Sequence, residues 1–183
     1  DFAIKIFRED YVLKEFRNNG ENNRINREIA IMKSVNHKNL IKYIDDFKED
    51  ILGVPSYFLV MEFAEGETLR KKIEKKLLNE KIATNIFSKI LEGLDALHNL
   101  RGDGDDKGII HRDLKPENII VDDNLNIKIL DYGISKIIDF TSITSTGSIM
   151  GSPLYMSPEQ ITDSKNIDKR SDLYTLGVIF YEM

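Results

Sequence analysis

Residues 111–118 read His-Arg-Asp-Leu-Lys-Pro-Glu-Asn, and they constrain the fold more than any other stretch of this 183-residue chain. Asp131-Tyr132-Gly133 follows a short way on, and Ser157-Pro158-Glu159 further still. Phosphoryl transfer is one chemistry that residues of these types can serve. It needs a carboxylate to orient and deprotonate a hydroxyl, oxygen ligands for Mg²⁺, and cations that hold phosphates. Asp113 can be the first, Asn118 and Asp131 the second, Lys115 and Lys5 the third.

Composition narrows the partners. Acidic residues exceed basic ones, giving a net charge of −5. No basic surplus is left to neutralise a phosphate backbone, which argues against a nucleic-acid partner. The densest basic patch, Arg70-Lys71-Lys72 with Lys75-Lys76, reads as a solvated helix face. A hydrophobic share of 41% and a charged share of 31% suit one soluble globular unit with a real core. Cysteine is absent, so there is no disulfide framework and no thiolate metal site. No apolar run approaches the ~20 residues of a membrane span. No signal peptide or glycosylation sequon is visible, so the expected compartment is cytoplasmic or otherwise intracellular.

The chain opens with Asp1-Phe2-Ala3-Ile4-Lys5-Ile6-Phe7 and closes with the apolar run Leu176 to Met183. Both ends read as interiors of buried elements, so an internal piece of a longer protein is expected. Phe2 to Phe7 alternates as a strand does. Asn18 to Asn23 reads as a loop. Ile25, Ile29, Met32 and Val35 recur at helical spacing. Leu40 to Phe47 and Tyr57 to Phe63 read as strands with Pro55 in the turn between them, and Glu65-Gly66-Glu67 as a polar linker. Leu69 to Ile73 begins a short helix. Ile82 to Leu100 is a long one, striped by Ile86, Ile90, Leu94 and Leu97. Arg101 to Lys107 is a hydrophilic loop. Ile119 to Val121 and Ile127 to Leu130 are short apolar runs around the turn signal Asp122-Asp123-Asn124. Strands first and helices later imply a small sheet-rich unit, residues 1 to about 62, and a larger helical one, about 63–183. There is no internal repeat.

Taken in order, these motifs resemble the eukaryotic-type protein kinase family, on its serine/threonine branch, over nearly the whole chain. The resemblance implies an α+β, two-lobed fold with a sheet-rich N-lobe and a mainly helical C-lobe, truncated at both ends. Phe2-Ala3-Ile4-Lys5 looks like the strand whose lysine holds the ATP α- and β-phosphates, and Glu28 like the helix glutamate paired with it. Leu59 to Ala64 is similar to the strand entering the hinge. Met61 would be the gatekeeper, while Glu62 and Ala64 would offer backbone groups to adenine. Asp113 would accept the acceptor hydroxyl's proton, Lys115 would neutralise the transferring phosphate, and Asn118 and Asp131 would ligate Mg²⁺. Tyr132 stands where the family more often has Phe, a mild change expected to keep the packing role. Gly151 to Glu159 resembles the peptide-binding loop, with Ser157 in place of Ala. Ser171 to Gly177 resembles the buried helix whose aspartate anchors the catalytic loop.

Lys115 after Asp113-Leu114, and Ser152 with its hydroxyl, favour serine/threonine acceptors in a protein substrate, with dual specificity left open. Arg112 would await a phosphate on the activation segment, with Ser148 as the first site and Thr144 and Thr146 as runners-up. The sequence contains no G-x-G-x-x-G loop. Glu159 is expected to be a buried acid lacking its partner, at a cost of about 3–5 kcal/mol. The final helix is expected to expose Val178, Ile179 and Phe180. Calcium loops fail at 101–106 and at Asp122-x-Asn124-x-Asn126, where Ile127 replaces the required glycine. A P-loop is absent. The competing reading is a pseudokinase that binds nucleotide or scaffolds. It usually betrays itself by losing the lysine or an essential aspartate, and Lys5, Asp113 and Asp131 are all present.

Overall fold

The computed structural model describes residues 2–8, 29–30, 32–51, 54–100, 108–132, 153–162 and 167–183. The first sheet is antiparallel. It comprises β1 (Phe2–Arg8), β2 (Tyr43–Ile51) and β3 (Val54–Glu62), with β3 in the centre. Residues 29–30 and 32–34 are helical, and Ile29, Met32 and Val35 are buried at the spacing the sequence predicts.

Pro55 is not in a turn. It lies in β3 opposite Asp50. A central strand tolerates this proline because it stands at the hairpin end, before the described pairing with β1 begins at Ser56 opposite Arg8. Leu40 and Ile41 precede β2 rather than belonging to it. Leu40 instead makes a parallel bridge to Ile129, and the Ile41 N–H donates to the Ile129 carbonyl at 2.9 Å.

The second sheet corrects the expected linker. Glu67–Thr68 forms β4, which pairs with β5 (Ile119–Val121), and β5 pairs with β6 (Ile127–Ile129). Gly66 before it has φ +120°, and a Cβ there would stand 2.5 Å from the Val121 carbonyl oxygen. Only glycine admits both the backbone angle and this approach. Thr68 then caps α1 (Leu69–Glu74), accepting from the Lys71 N–H.

Helix α2 (Glu80–His98) starts two residues earlier than the apolar stripe because Asn79 caps it, accepting from the Ile82 N–H at 2.9 Å. Ile86, Ile90, Leu94 and Leu97 are fully buried and share one core with Leu69, Leu114, Ile119, Ile127, Ile129 and Tyr132. The long helix therefore backs the loop that carries Asp113. A short helix, α3 (Pro158–Thr162), precedes α4 (Lys169–Glu182), which Asp168 caps. Along α4 the buried residues are Ser171, Asp172, Thr175, Leu176 and Ile179. Ile179 is thus interior, contrary to expectation. The exposed large side chains of α4 are Leu173, Tyr174, Phe180 and Tyr181.

Candidate active site

The loop from His111 to Lys115 has no regular structure, and Pro116–Asn118 closes it with a 3₁₀ turn. Proline suits the start of such a turn because its missing N–H would have no partner there. The Asn118 N–H donates to the Lys115 carbonyl at 2.9 Å. This brings three polar side chains together. The Lys115 ammonium is 2.8 Å from Asp113 Oδ2. The Asn118 amide donates to the Asp113 carbonyl at 2.9 Å and approaches Asp113 Oδ2 at 3.3 Å. Asp113 and Lys115 are half-buried and Asn118 is buried.

What holds the loop lies elsewhere in the sequence. Asp172 is 1% exposed. Its carboxyl accepts from the His111 N–H at 2.8 Å and the Arg112 N–H at 3.0 Å. His98 Nε2, at the end of α2, is 2.7 Å from the same carboxyl. Arg112 has φ +66°, a left-handed residue directly before Asp113. Its carbonyl accepts from the Gln160 side chain at 2.6 Å. The anchoring aspartate was expected from its motif, but His98 and Gln160 were not singled out. His98 does follow the apolar stripe of α2 directly, as a polar residue beside a buried face.

Asp131 lies beside this group through its neighbours. The Leu130 N–H donates to the Asn118 carbonyl at 2.8 Å, and His111 Nε2 lies 2.8 Å from the Leu130 carbonyl. Tyr132 is fully buried and donates to the Ile41 carbonyl at 2.5 Å.

Among the hinge residues, Met61 is buried in the core and Ala64 packs against it. The Glu62 N–H donates to the Lys42 carbonyl at 2.9 Å. The Glu62 carboxylate takes the Lys42 N–H at 2.8 Å and the Lys128 ammonium at 2.6 Å. Glu62 therefore ties the hinge to β6. Lys5 stands opposite Leu59 in the sheet. Its pairing with Glu28 lies outside the described residues, as do Thr144, Thr146, Ser148, Ser152 and the 101–107 loop.

Glu159 overturns its expectation. It is half-exposed and accepts from Ser171 Oγ at 2.5 Å. That hydrogen bond, with its own backbone N–H, draws its carboxyl below the usual range. An acid that keeps water and a hydroxyl donor carries no buried-charge penalty.

A second polar cluster was not foreseen. Arg70 of α1 bonds Glu117 at 2.8 Å, and its remaining donors reach Glu182 at the end of α4 and the Tyr155 hydroxyl. Tyr155 also donates to Glu182 at 2.5 Å. Burial, then the Glu182 bond, pushes the Tyr155 phenol up to about 12.

An Asp, a Lys and an Asn gathered on one pinned loop are groups that can orient a hydroxyl and hold phosphate oxygens. The sequence model of the protein kinase domain matches residues 1–183, and the chain belongs to that family. It is 37% identical to a probable serine/threonine-protein kinase of Clostridium perfringens, across 99% of the chain and 24% of that protein. With serine/threonine-protein kinase PrkC of Bacillus subtilis it shares 36% identity, across 100% of the chain and 26% of that protein. A CBL-interacting serine/threonine-protein kinase of Arabidopsis thaliana is 34% identical across 98% of the chain and 37% of its own length. The chain thus spans about a quarter of the first two relatives.

Proposed function

We propose that the protein containing this chain transfers the γ-phosphoryl group of ATP to serine or threonine hydroxyls of other proteins. The observation that carries this reading is the Asp113–Lys115–Asn118 cluster on a loop pinned by buried Asp172. The three relatives described above, each a known or probable serine/threonine-protein kinase, support it. We take residues 1–62 as the N-lobe part and 63–183 as the C-lobe part.

Asp113 accepts the acceptor hydroxyl's proton and aims its oxygen. Lys115 lies close enough to Asp113 to share that oxygen's field and to neutralise charge on the transferred group. Lys5 holds the nucleotide phosphates. Glu28 pairs with Lys5, and Met61, Glu62 and Ala64 border adenine. Mg²⁺ suits the donors Asn118 and Asp131. It is commonly bound through one or two protein oxygens, with waters and substrate phosphates completing the octahedron. Among the described residues no group of three or more acidic or histidine side chains forms a self-sufficient metal cage. When bound, Mg²⁺ neutralises charge on the phosphates.

Asp113→Asn in the full-length protein should lower kcat by about 10²–10⁴ or more, the usual share of a positioned base. Nucleotide affinity should change little. Asp131→Ala should remove Mg²⁺-dependent binding and transfer together. Near-wild-type peptide phosphorylation by Asp113→Asn would sink the assignment.

A further inference from the structure

The Asp131-Tyr132 segment is fixed from both sides of a left-handed residue. Asp131 has φ +62°, a region that costs energy for any side chain but glycine, although Asp tolerates it better than most. Ahead of it, Leu130 is held at both its N–H and its carbonyl, by Asn118 and His111. Behind it, the buried Tyr132 hydroxyl donates to Ile41. Ile41 already gives its N–H to Ile129, and the Ile129 N–H goes to the Asn39 carbonyl at 2.9 Å. Residues 39–41 therefore grip residues 129–132 through two backbone bonds and one phenol. Any side chains would permit the backbone bonds. The third bond exists only because position 132 is tyrosine.

Phenylalanine would fill the same space and keep the edge-to-face contact with Tyr43, whose ring centroid is 5.2 Å away. It would leave the Ile41 carbonyl without this donor.

We infer that Tyr132 is a positioning residue for Asp131, its hydroxyl latching the Asp131-Tyr132 turn to Ile41 so that the aspartate keeps one backbone conformation. Swinging Tyr132 out of its pocket, which would carry Asp131 with it, breaks a buried hydrogen bond and takes this donor from the Ile41 carbonyl. The inference rests on Asp131 being a Mg²⁺ ligand.

The test uses the full-length protein and its Tyr132→Phe and Asp131→Ala variants. Binding of a fluorescent ATP analogue is titrated against Mg²⁺, and amide hydrogen exchange of residues 129–132 is followed without nucleotide. Wild-type binding should require Mg²⁺, and Asp131→Ala should lose that requirement's effect. Tyr132→Phe should need about 3–10 times more Mg²⁺ for half-maximal binding, the worth of one neutral hydrogen bond. Saturating Mg²⁺ should restore binding, and exchange at residues 131–132 should quicken. Tyr132→Leu, which also lacks the hydroxyl, replaces the Phe variant if that one does not fold. An unchanged Mg²⁺ requirement in a hydroxyl-free variant overturns the inference, even if the variant melts earlier, because Tyr132 then only packs. Unchanged Mg²⁺ dependence in Asp131→Ala instead overturns the metal-ligand assignment, and the inference with it.

Discussion

At Asp172 a buried carboxyl meets two consecutive backbone N–H groups and an imidazole. One oxygen serves His111 and His98, and the other serves Arg112. Asp172→Asn keeps the shape but replaces one acceptor with an NH₂ group. Either amide orientation then sets a donor against a buried backbone N–H. The loss should be about 1–3 kcal/mol, the cost of a buried unsatisfied donor. Calorimetry of the full-length protein should show the kinase-domain transition lowered by roughly 2–4 °C for each of those kcal/mol. Because Arg112 and Asp113 ride on these bonds, kcat should fall with little change in nucleotide affinity. An Asn variant with the wild-type melting temperature would contradict this account.

Between elements, Arg70 acts as the common point. Its guanidinium joins α1, the 3₁₀ turn Pro116–Asn118, the segment before α3 and the end of α4. Arg70→Gln should cost about 1.5–3 kcal/mol, the range for hydrogen bonds to charged groups. The pH dependence identifies the partner. Arg70 holds the Glu182 carboxyl below its ordinary value of 4.5. A depressed carboxylate contributes stability above its unfolded pKa and loses it as pH falls through the folded one. The stability difference between the wild type and Glu182→Gln should thus be constant above about pH 5.5 and shrink as the solution is acidified past pH 4.5. A difference that held steady down to pH 3 would show that the charge of Glu182 is irrelevant.

For the whole molecule, surface apolarity is the feature with consequences. Tyr181 is 95% exposed and Leu154 81%, and Leu173, Tyr174, Phe180 and Ile161 are exposed as well. Leu173 and Phe180, like Tyr174 and Tyr181, recur at seven-residue spacing on α4, and an exposed apolar stripe of this kind favours association. Residues 1–183 expressed alone should self-associate at micromolar concentration, seen as a concentration-dependent mass in sedimentation velocity. Tyr181→Lys with Leu154→Lys should raise the concentration needed. A monomer unaffected by either change would count against the prediction. Among the described residues no helix is long and apolar enough to cross a membrane.

The fold class and the Asp113–Lys115–Asn118 group were legible in the sequence because both depend on short-range order. The proline-led turn places Asn118 beside Asp113, and the 3.6-residue stripe of Ile86, Ile90, Leu94 and Leu97 buries itself wherever a core exists. The long-range partners could not be read this way. Pro55 reads as a turn residue until the register shows that β3 begins before it. Glu67 looks like linker until β5 arrives to pair with it. Glu159 was expected to be buried and alone, and only the packing of α3 against α4 gives it Ser171 and solvent. His98 meets Asp172 across 74 residues, Tyr132 meets Ile41 across 91, and Arg70 meets Glu182 across 112. Local sequence fixes backbone angles, caps and periodic faces, because those energies act within a few residues. Which buried donor finds which acceptor depends on surfaces that exist only once the chain has packed, and that choice belongs to the tertiary structure.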